Sequence, residues 1–220
     1  MFTTLLLILA AAPPEIAPPP RPVDPFAKWG ASIAAIEKRL KAAPPKPGSV
    51  FFVGSSSIVG WDVKKWFPDA GHVNVGFGGS QIPDSTAFAP RILTPFKPAT
   101  IVFYAGDNDL AVGRKPEQVA ADFRDFVDAA RVENPTCRVL FISVKPSIAR
   151  WKQFDTQKKA NNLVREFCEK GTGLVYVDVV PIMLRADNTP DPDLFVKDGL
   201  HMTAKGYELW TAAVKTALAK

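Results

Sequence analysis

"FFVGSSSIVGW", residues 51–61, runs two aromatics, a valine and a glycine straight into three serines. Val50 to Val53 shows no polar alternation, as expected of a strand covered on both faces. The serines open a polar turn, and a helical pattern follows over about 57–66. A serine at such a junction is either a turn former or a nucleophile. Which one depends on what the rest of the chain brings to it.

The pattern of apolar run followed by polar turn recurs along the chain. Val73 to Val75, "TIVFYAG" at 100–106, "RVLFISV" at 138–144 and "LVYVDVV" at 174–180 are four further buried-strand runs. Helical periodicity separates them, over about 82–94, 116–133 and 154–169. Another helix precedes the first strand, with Trp29, Ile33, Ile36 and Leu40 at three- and four-residue steps, and Pro44-Pro45 and Pro47-Gly48 end it. A last helix runs over about 204–219 with Thr203 as its N-cap. Continuous apolar strands alternating with helices predict an α/β fold, a three-layer α/β/α sandwich around a five-stranded parallel sheet.

The chain has 220 residues, 47% of them hydrophobic, which suits one soluble domain with a sizeable core. Lys and Arg outnumber Asp and Glu 27 to 22, but the charges are scattered, as in Lys38-Arg39-Leu40-Lys41, Lys64-Lys65 and Lys158-Lys159. Short clusters of this kind read as solvated helix faces, so no nucleic-acid partner is expected. With two histidines, two cysteines and no Cys/His cluster, no metal site is expected either. Cys137 and Cys168 are either small buried hydrophobes or a pair that joins in an oxidising compartment.

Residues 1–25 differ in character. Leu5 to Ala12 is an apolar run ending in small residues, too short to span a bilayer as a relaxed helix, and it resembles the core of a secretory signal. Pro13 to Pro25 is a proline-rich linker. The expected organisation is therefore a signal-like segment and linker at 1–25 and a folded domain at 26–220, exported, with no stable membrane association once processed. A retained lipid-facing anchor and a plain N-terminal arm are the alternatives.

In parallel α/β sheets ligands bind at the carboxyl ends of strands. Gly54-Ser55-Ser56-Ser57 follows the first strand, "NVGFGGS" at 74–80 the second, "AGDNDL" at 105–110 the third, and "DGLHMT" at 198–203 lies beyond the fifth. Asp198 and His201 are three residues apart, so one turn or bend puts both side chains on one side. An aspartate on Nδ1 sets the tautomer and leaves Nε2 as a base, which a serine hydroxyl needs in order to attack. The glycines at 76, 78 and 79 offer unobstructed backbone N–H groups, and Asn108 offers an amide, as an oxyanion hole requires. Taken singly, each is as readily a turn, a cap or a loop residue.

Together these segments resemble the sequence blocks of the SGNH hydrolases, the GDSL esterase/lipase family. Gly54-Ser55-Ser56-Ser57-Ile58 matches the first block, Asn74-Val75-Gly76-Phe77-Gly78-Gly79 the second, Gly106-Asp107-Asn108-Asp109 the third and Asp198-Gly199-Leu200-His201 the last. The family's first block carries Asp where this chain has Ser55, which removes a charge beside the site. The triple serine, with Lys145-Pro146-Ser147 after the fourth strand, is similar to a GSSS-type subgroup. The resemblance implies a flavodoxin-like SGNH fold, Ser56 as nucleophile, His201 as base and Asp198 as its orienting acid. It also implies an oxyanion hole of the Ser56 and Gly79 backbone N–H groups and the Asn108 amide, with Ser57 a bystander. The G-x-S-x-G elbow of α/β-hydrolases does not fit, because Ile58 holds the fifth position.

The expected activity is hydrolysis of small carboxylic esters, short acyl or acetyl, on a small-molecule substrate that includes acetylated carbohydrate. No cofactor is needed. An acyltransferase on the same residues and a non-catalytic binding module on the same fold are the alternatives. Phe51, Phe52, Trp61, Trp66, Phe77 and Trp151 are either pocket lining or core. No feature of the chain specifies an oligomeric state.

Overall fold

A computed structural model describes residues 26–68 and 70–220. The expected signal-like segment and linker at 1–25 lie outside the described residues. Five strands form the sheet: β1 (Val50–Gly54), β2 (Val73–Asn74), β3 (Thr100–Tyr104), β4 (Arg138–Ile142) and β5 (Leu174–Val177). Every pairing is parallel and the strand order is β2-β1-β3-β4-β5. The helices are α1 (Gly30–Ala42), α2 (Ser56–Val59), α3 (Val63–Trp66), α4 (Ile82–Ile92), α5 (Asp107–Ala111), α6 (Pro116–Arg131), α7 (Phe154–Lys170), α8 (Val180–Met183) and α9 (Ala204–Leu218).

Strand residues alternate between two apolar layers, as the period of two demands. Phe51, Val53, Ile101, Phe103, Val139 and Phe141 meet α1, α4, α6 and α7 on one face. Phe52, Val102, Tyr104, Leu140 and Ile142 meet Trp61, Phe67, Trp210 and Val214 on the other. Burial on both faces is why the strands read as unbroken apolar runs. It also settles the aromatics: Phe51, Phe52, Trp61 and Phe77 are at most 2% exposed and belong to the core, whereas Trp66 and Trp151 are half-buried. Cys137 and Cys168 are both free and buried.

The elements differ from the sequence reading in three ways. The helix expected over 57–66 is two short helices. Gly60 packs under Tyr207, where a Cβ would stand 2.4 Å from the phenol oxygen, and Asp62 caps a fresh start by accepting from the Lys65 N–H. The strand runs over 100–106, 138–144 and 174–180 extend past the ladders, which stop at Tyr104, Ile142 and Val177. Val144 and Val179 remain buried, but side chains now satisfy their N–H groups: Asn161 Oδ1 at 2.8 Å and Ser143 Oγ at 2.9 Å. Hydrophobicity reports burial, and here burial outlasts the ladder. α5 and α8, of five and four residues, are too short to show a periodicity in sequence.

The order 2-1-3-4-5 reverses direction between β1 and β3, and that crevice is where such sheets bind ligands. Gly54, at the end of β1, has φ +135° and lies against β3, so a Cβ there would stand 1.9 Å from the Tyr104 carbonyl oxygen. Gly54→Ala should therefore lose at least ~3 kcal/mol of stability. Urea unfolding would measure it, and a midpoint unchanged from wild type would show that the strand ends can separate freely.

Candidate active site

Ser56 begins α2 directly beyond β1. Its neighbours are held from several sides. Ser55 N–H donates to Tyr104 O at 3.0 Å, and Tyr207 OH donates to Ser57 O at 3.0 Å. Asn74 reaches over from β2, its Nδ2 donating to Ile58 O at 2.6 Å and Trp61 O at 3.0 Å while its Oδ1 accepts from Gly76 N–H at 3.0 Å. The turn bearing Ser56 is thus tied to β2, β3 and α9, and Ser56 itself stays half-buried.

Asp198 and His201 sit in the turn before α9, bounded by Val196 N–H donating to His201 O at 2.8 Å and by Thr203 N–H donating to Leu194 O at 2.9 Å. Asp198 Oδ1 accepts from the Leu200 N–H at 2.8 Å and the His201 N–H at 2.9 Å. Its Oδ2 lies 2.6 Å from His201 Nδ1, and His201 Nε2 lies 2.8 Å from Ser56 Oγ. The His201 ring hydrogen bond and the two backbone donors hold the exposed Asp198 carboxyl well below the usual carboxylate range. Asp198 therefore remains an anion wherever an imidazole can act as a base. The three residues expected as a triad are thus in hydrogen-bond contact, although Ser56 and His201 are 145 positions apart in sequence.

The expected oxyanion donors come to the same rim. A Cβ on Gly78 would stand 3.8 Å from Ser56 Cβ, so the glycine loop passes beside the nucleophile. Gly79 follows at φ +78°, a left-handed conformation that favours glycine, next to the Trp29 ring. Asn108, in α5, donates from Nδ2 to Ser80 O at 2.9 Å, leaving that nitrogen a second N–H.

A buried charge cluster beneath the site escaped the sequence reading. Lys145 is 1% exposed, and its Nζ donates to Ser57 Oγ at 3.1 Å, Tyr104 OH at 3.0 Å and Asp107 Oδ2 at 3.3 Å. Arg150 Nη1 lies 2.9 Å from the same Asp107 oxygen, and its Nη2 donates to Asn108 Oδ1 at 2.8 Å. Burial pushes the Asp107 carboxyl up, but Lys145 and Arg150 outweigh it and hold the carboxyl below its ordinary value. Ser57, expected to take no chemical part, thus anchors Lys145. The sequence signal was present in Lys145-Pro146-Ser147, but a lysine after a strand reads as surface until burial is known. A groove of about 600 Å³ lined by Arg39, Lys46, Phe67 and His72 includes none of Ser56, Asp198 and His201.

Asp109, next along α5, is fully buried. Its Oδ1 accepts from the Ile82 N–H at 3.0 Å, while its Oδ2 has no hydrogen-bond partner among the described residues. Burial pushes its carboxyl up to about 6. The folded protein then binds more protons than the unfolded chain between about pH 4 and 6, so this group lowers stability as pH rises through that window. Asp109→Asn keeps an acceptor for Ile82 and removes the titration. It should raise stability at pH 7 by roughly 1–3 kcal/mol while changing little at pH 4. Urea unfolding at the two pH values checks this, and an equal offset at both would rule out a buried, titrating Asp109.

A profile of the GDSL-like lipase/acylhydrolase family matches residues 52–209. Among solved structures the fold is shared with a Streptococcus pneumoniae protein assigned as a platelet activating factor, at TM-score 0.77 and 15% identity over 88% of this chain and 94% of that one. It is shared with a GDSL-like lipase from Bacteroides thetaiotaomicron at 0.68 and 21% over 89% and 97%. An acetyl-xylooligosaccharide esterase from Geobacillus matches at 0.61 and 16% over 80% and 97%. At these identities the likeness is one of fold. A comparison with curated proteins found no match.

Proposed function

The chain belongs to the GDSL-like lipase/acylhydrolase family and is an ester hydrolase, and we propose that it cleaves small carboxylic esters through an acyl-enzyme on Ser56. The observation that carries this reading is the unbroken chain of contacts from Asp198 Oδ2 to His201 Nδ1 at 2.6 Å and from His201 Nε2 to Ser56 Oγ at 2.8 Å. His201 takes the hydroxyl proton as Ser56 Oγ attacks the ester carbonyl, and Asp198 stabilises the imidazolium. Negative charge develops on the carbonyl oxygen, facing the Ser56 and Gly79 N–H groups and the second N–H of Asn108. Collapse expels the alcohol, which receives the proton from His201. Water activated by the same imidazole then releases the acid.

The acyl group is short, in this reading. Most of the chain's large aromatics are spent on the core, and the exposed apolar side chains beside the His201 turn are aliphatic, not aromatic: Ile148, 46% exposed, and Val196, 43% exposed. A Cβ on Gly199 would stand 3.1 Å from Ile148 Cβ, which places that side chain against the turn. Acetylated carbohydrate is the substrate this reading favours, as with the Geobacillus esterase of the same fold. No helix among the described residues is long and apolar enough to cross a membrane, and the signal-like start supports export.

Ser56→Ala should abolish turnover with an unchanged circular dichroism spectrum, and any retained turnover removes Ser56 from its role. Asn108→Ala should lower kcat by roughly 10²–10³. On p-nitrophenyl esters, kcat/KM should fall from acetate and butyrate towards longer chains, and a preference for octanoate or beyond would refute the short-acyl reading. With an acceptor alcohol present, acyl transfer exceeding hydrolysis would make the protein a transferase.

The pH profile separates the acid from the base. Asp198 stays ionised, so the acid limb of kcat/KM does not report Asp198. A profile flat from about pH 5 to 8 would remove His201 as the base.

A further inference from the structure

Arg150 belongs to none of the motifs that identify the family here, yet it touches the proposed oxyanion donor. The geometry points to Arg150 as a positioning residue that holds the Asn108 amide with its N–H groups turned to the substrate oxygen. This rests on the proposed role of Asn108.

A carboxamide fills nearly the same space in either of two orientations, so its hydrogen bonds decide which end faces where. At Asn108 both ends are specified. Oδ1 accepts from Arg150 Nη2 at 2.8 Å, and Nδ2 donates to Ser80 O at 2.9 Å. A flipped amide would set Nδ2 against the guanidinium, donor against donor, and Oδ1 against the Ser80 carbonyl, acceptor against acceptor. The Ser80 carbonyl alone opposes the flip weakly, and the cation adds the stronger, charge-assisted half.

Arg150 is itself immobilised. Its side chain is 17% exposed, and its other terminal nitrogen lies 2.9 Å from Asp107 Oδ2, which Lys145 also contacts. One guanidinium thus bridges two successive residues of α5, a carboxylate and an amide. That geometry suits the planar fork of arginine and not the single nitrogen of lysine. The bond to Oδ1 also draws electron density from the amide and makes Nδ2–H a better donor to an oxyanion. The neighbouring Ala149 N–H donates to Gly199 O at 3.0 Å, so the loop that carries Arg150 also braces the His201 turn.

The test is a double-mutant cycle on p-nitrophenyl acetate. Arg150→Ala should lower kcat about 10- to 100-fold with KM within about threefold, because the interaction matters chiefly in the transition state. Arg150→Lys should restore part of that loss. In the Asn108→Ala background, Arg150→Ala should change kcat by less than about twofold, since no amide is left to orient. If Arg150→Ala does not fold, Arg150→Gln takes its place in the cycle. A single variant within about twofold of wild-type kcat, or losses that multiply in the double variant, would overturn the inference. Asn108→Ala at the wild-type rate would overturn it too, and would remove Asn108 from the oxyanion hole. Inactivity of Ser56→Ala would then show that the esterase reading survives without it.

Discussion

Gly54 and Tyr104 meet where β1 and β3 run out side by side, so close that a methyl group on Gly54 would stand 1.9 Å from the Tyr104 carbonyl oxygen. The Ser55 N–H donates to that same carbonyl. This contact sits at the reversal of strand order, the one place in such a sheet where two adjacent strand ends diverge into separate loops. Ser56 leaves one side of the crevice and Asn108 the other. If the two strands slid by a residue, every side chain beyond them would change face. The glycine and the serine N–H lock that register at the point where the chemistry begins.

Beneath the crevice the protein keeps three charges where most folds place hydrocarbon. Lys145, Asp107 and Arg150 are mostly or wholly withdrawn from water, and desolvation opposes each charge. A buried ion pair rarely gains much over an apolar packing of the same volume, so the cluster is poorly explained as a source of stability. Its contacts are specific instead. Lys145 reaches the residue after Ser56, and Arg150 reaches Asn108. The anion of the cluster is Asp107, one position before Asn108.

Much of this was legible in the sequence. Strands buried on both faces announce themselves as unbroken apolar runs, and amphipathic helices of eleven residues or more carry their own period. Ser56, Asn108, Asp198 and His201 stood out because each lies at or beyond a strand end with chemistry that the others complement. Asn74 was legible as a motif residue, but its work of stitching Ile58 and Trp61 to β2 was not. Arg150 went unmarked, and Lys145 was visible only as part of Lys145-Pro146-Ser147, because long cationic side chains are usually solvated and their burial shows only in the fold.

The order of elements, the two-sided burial of the sheet and the chemical inventory at each strand end follow from residue type and spacing, because those depend on local periodicity and on which side chains avoid water. Distances between distant strand ends do not. That His201 reaches Ser56, that Ser57 anchors a buried lysine, and that Asn108 is gripped by an arginine 42 positions away depend on how parallel strands stack and loops cross above them. Those contacts arise from the summed packing of the whole core, and only the folded chain brings them within hydrogen-bond range.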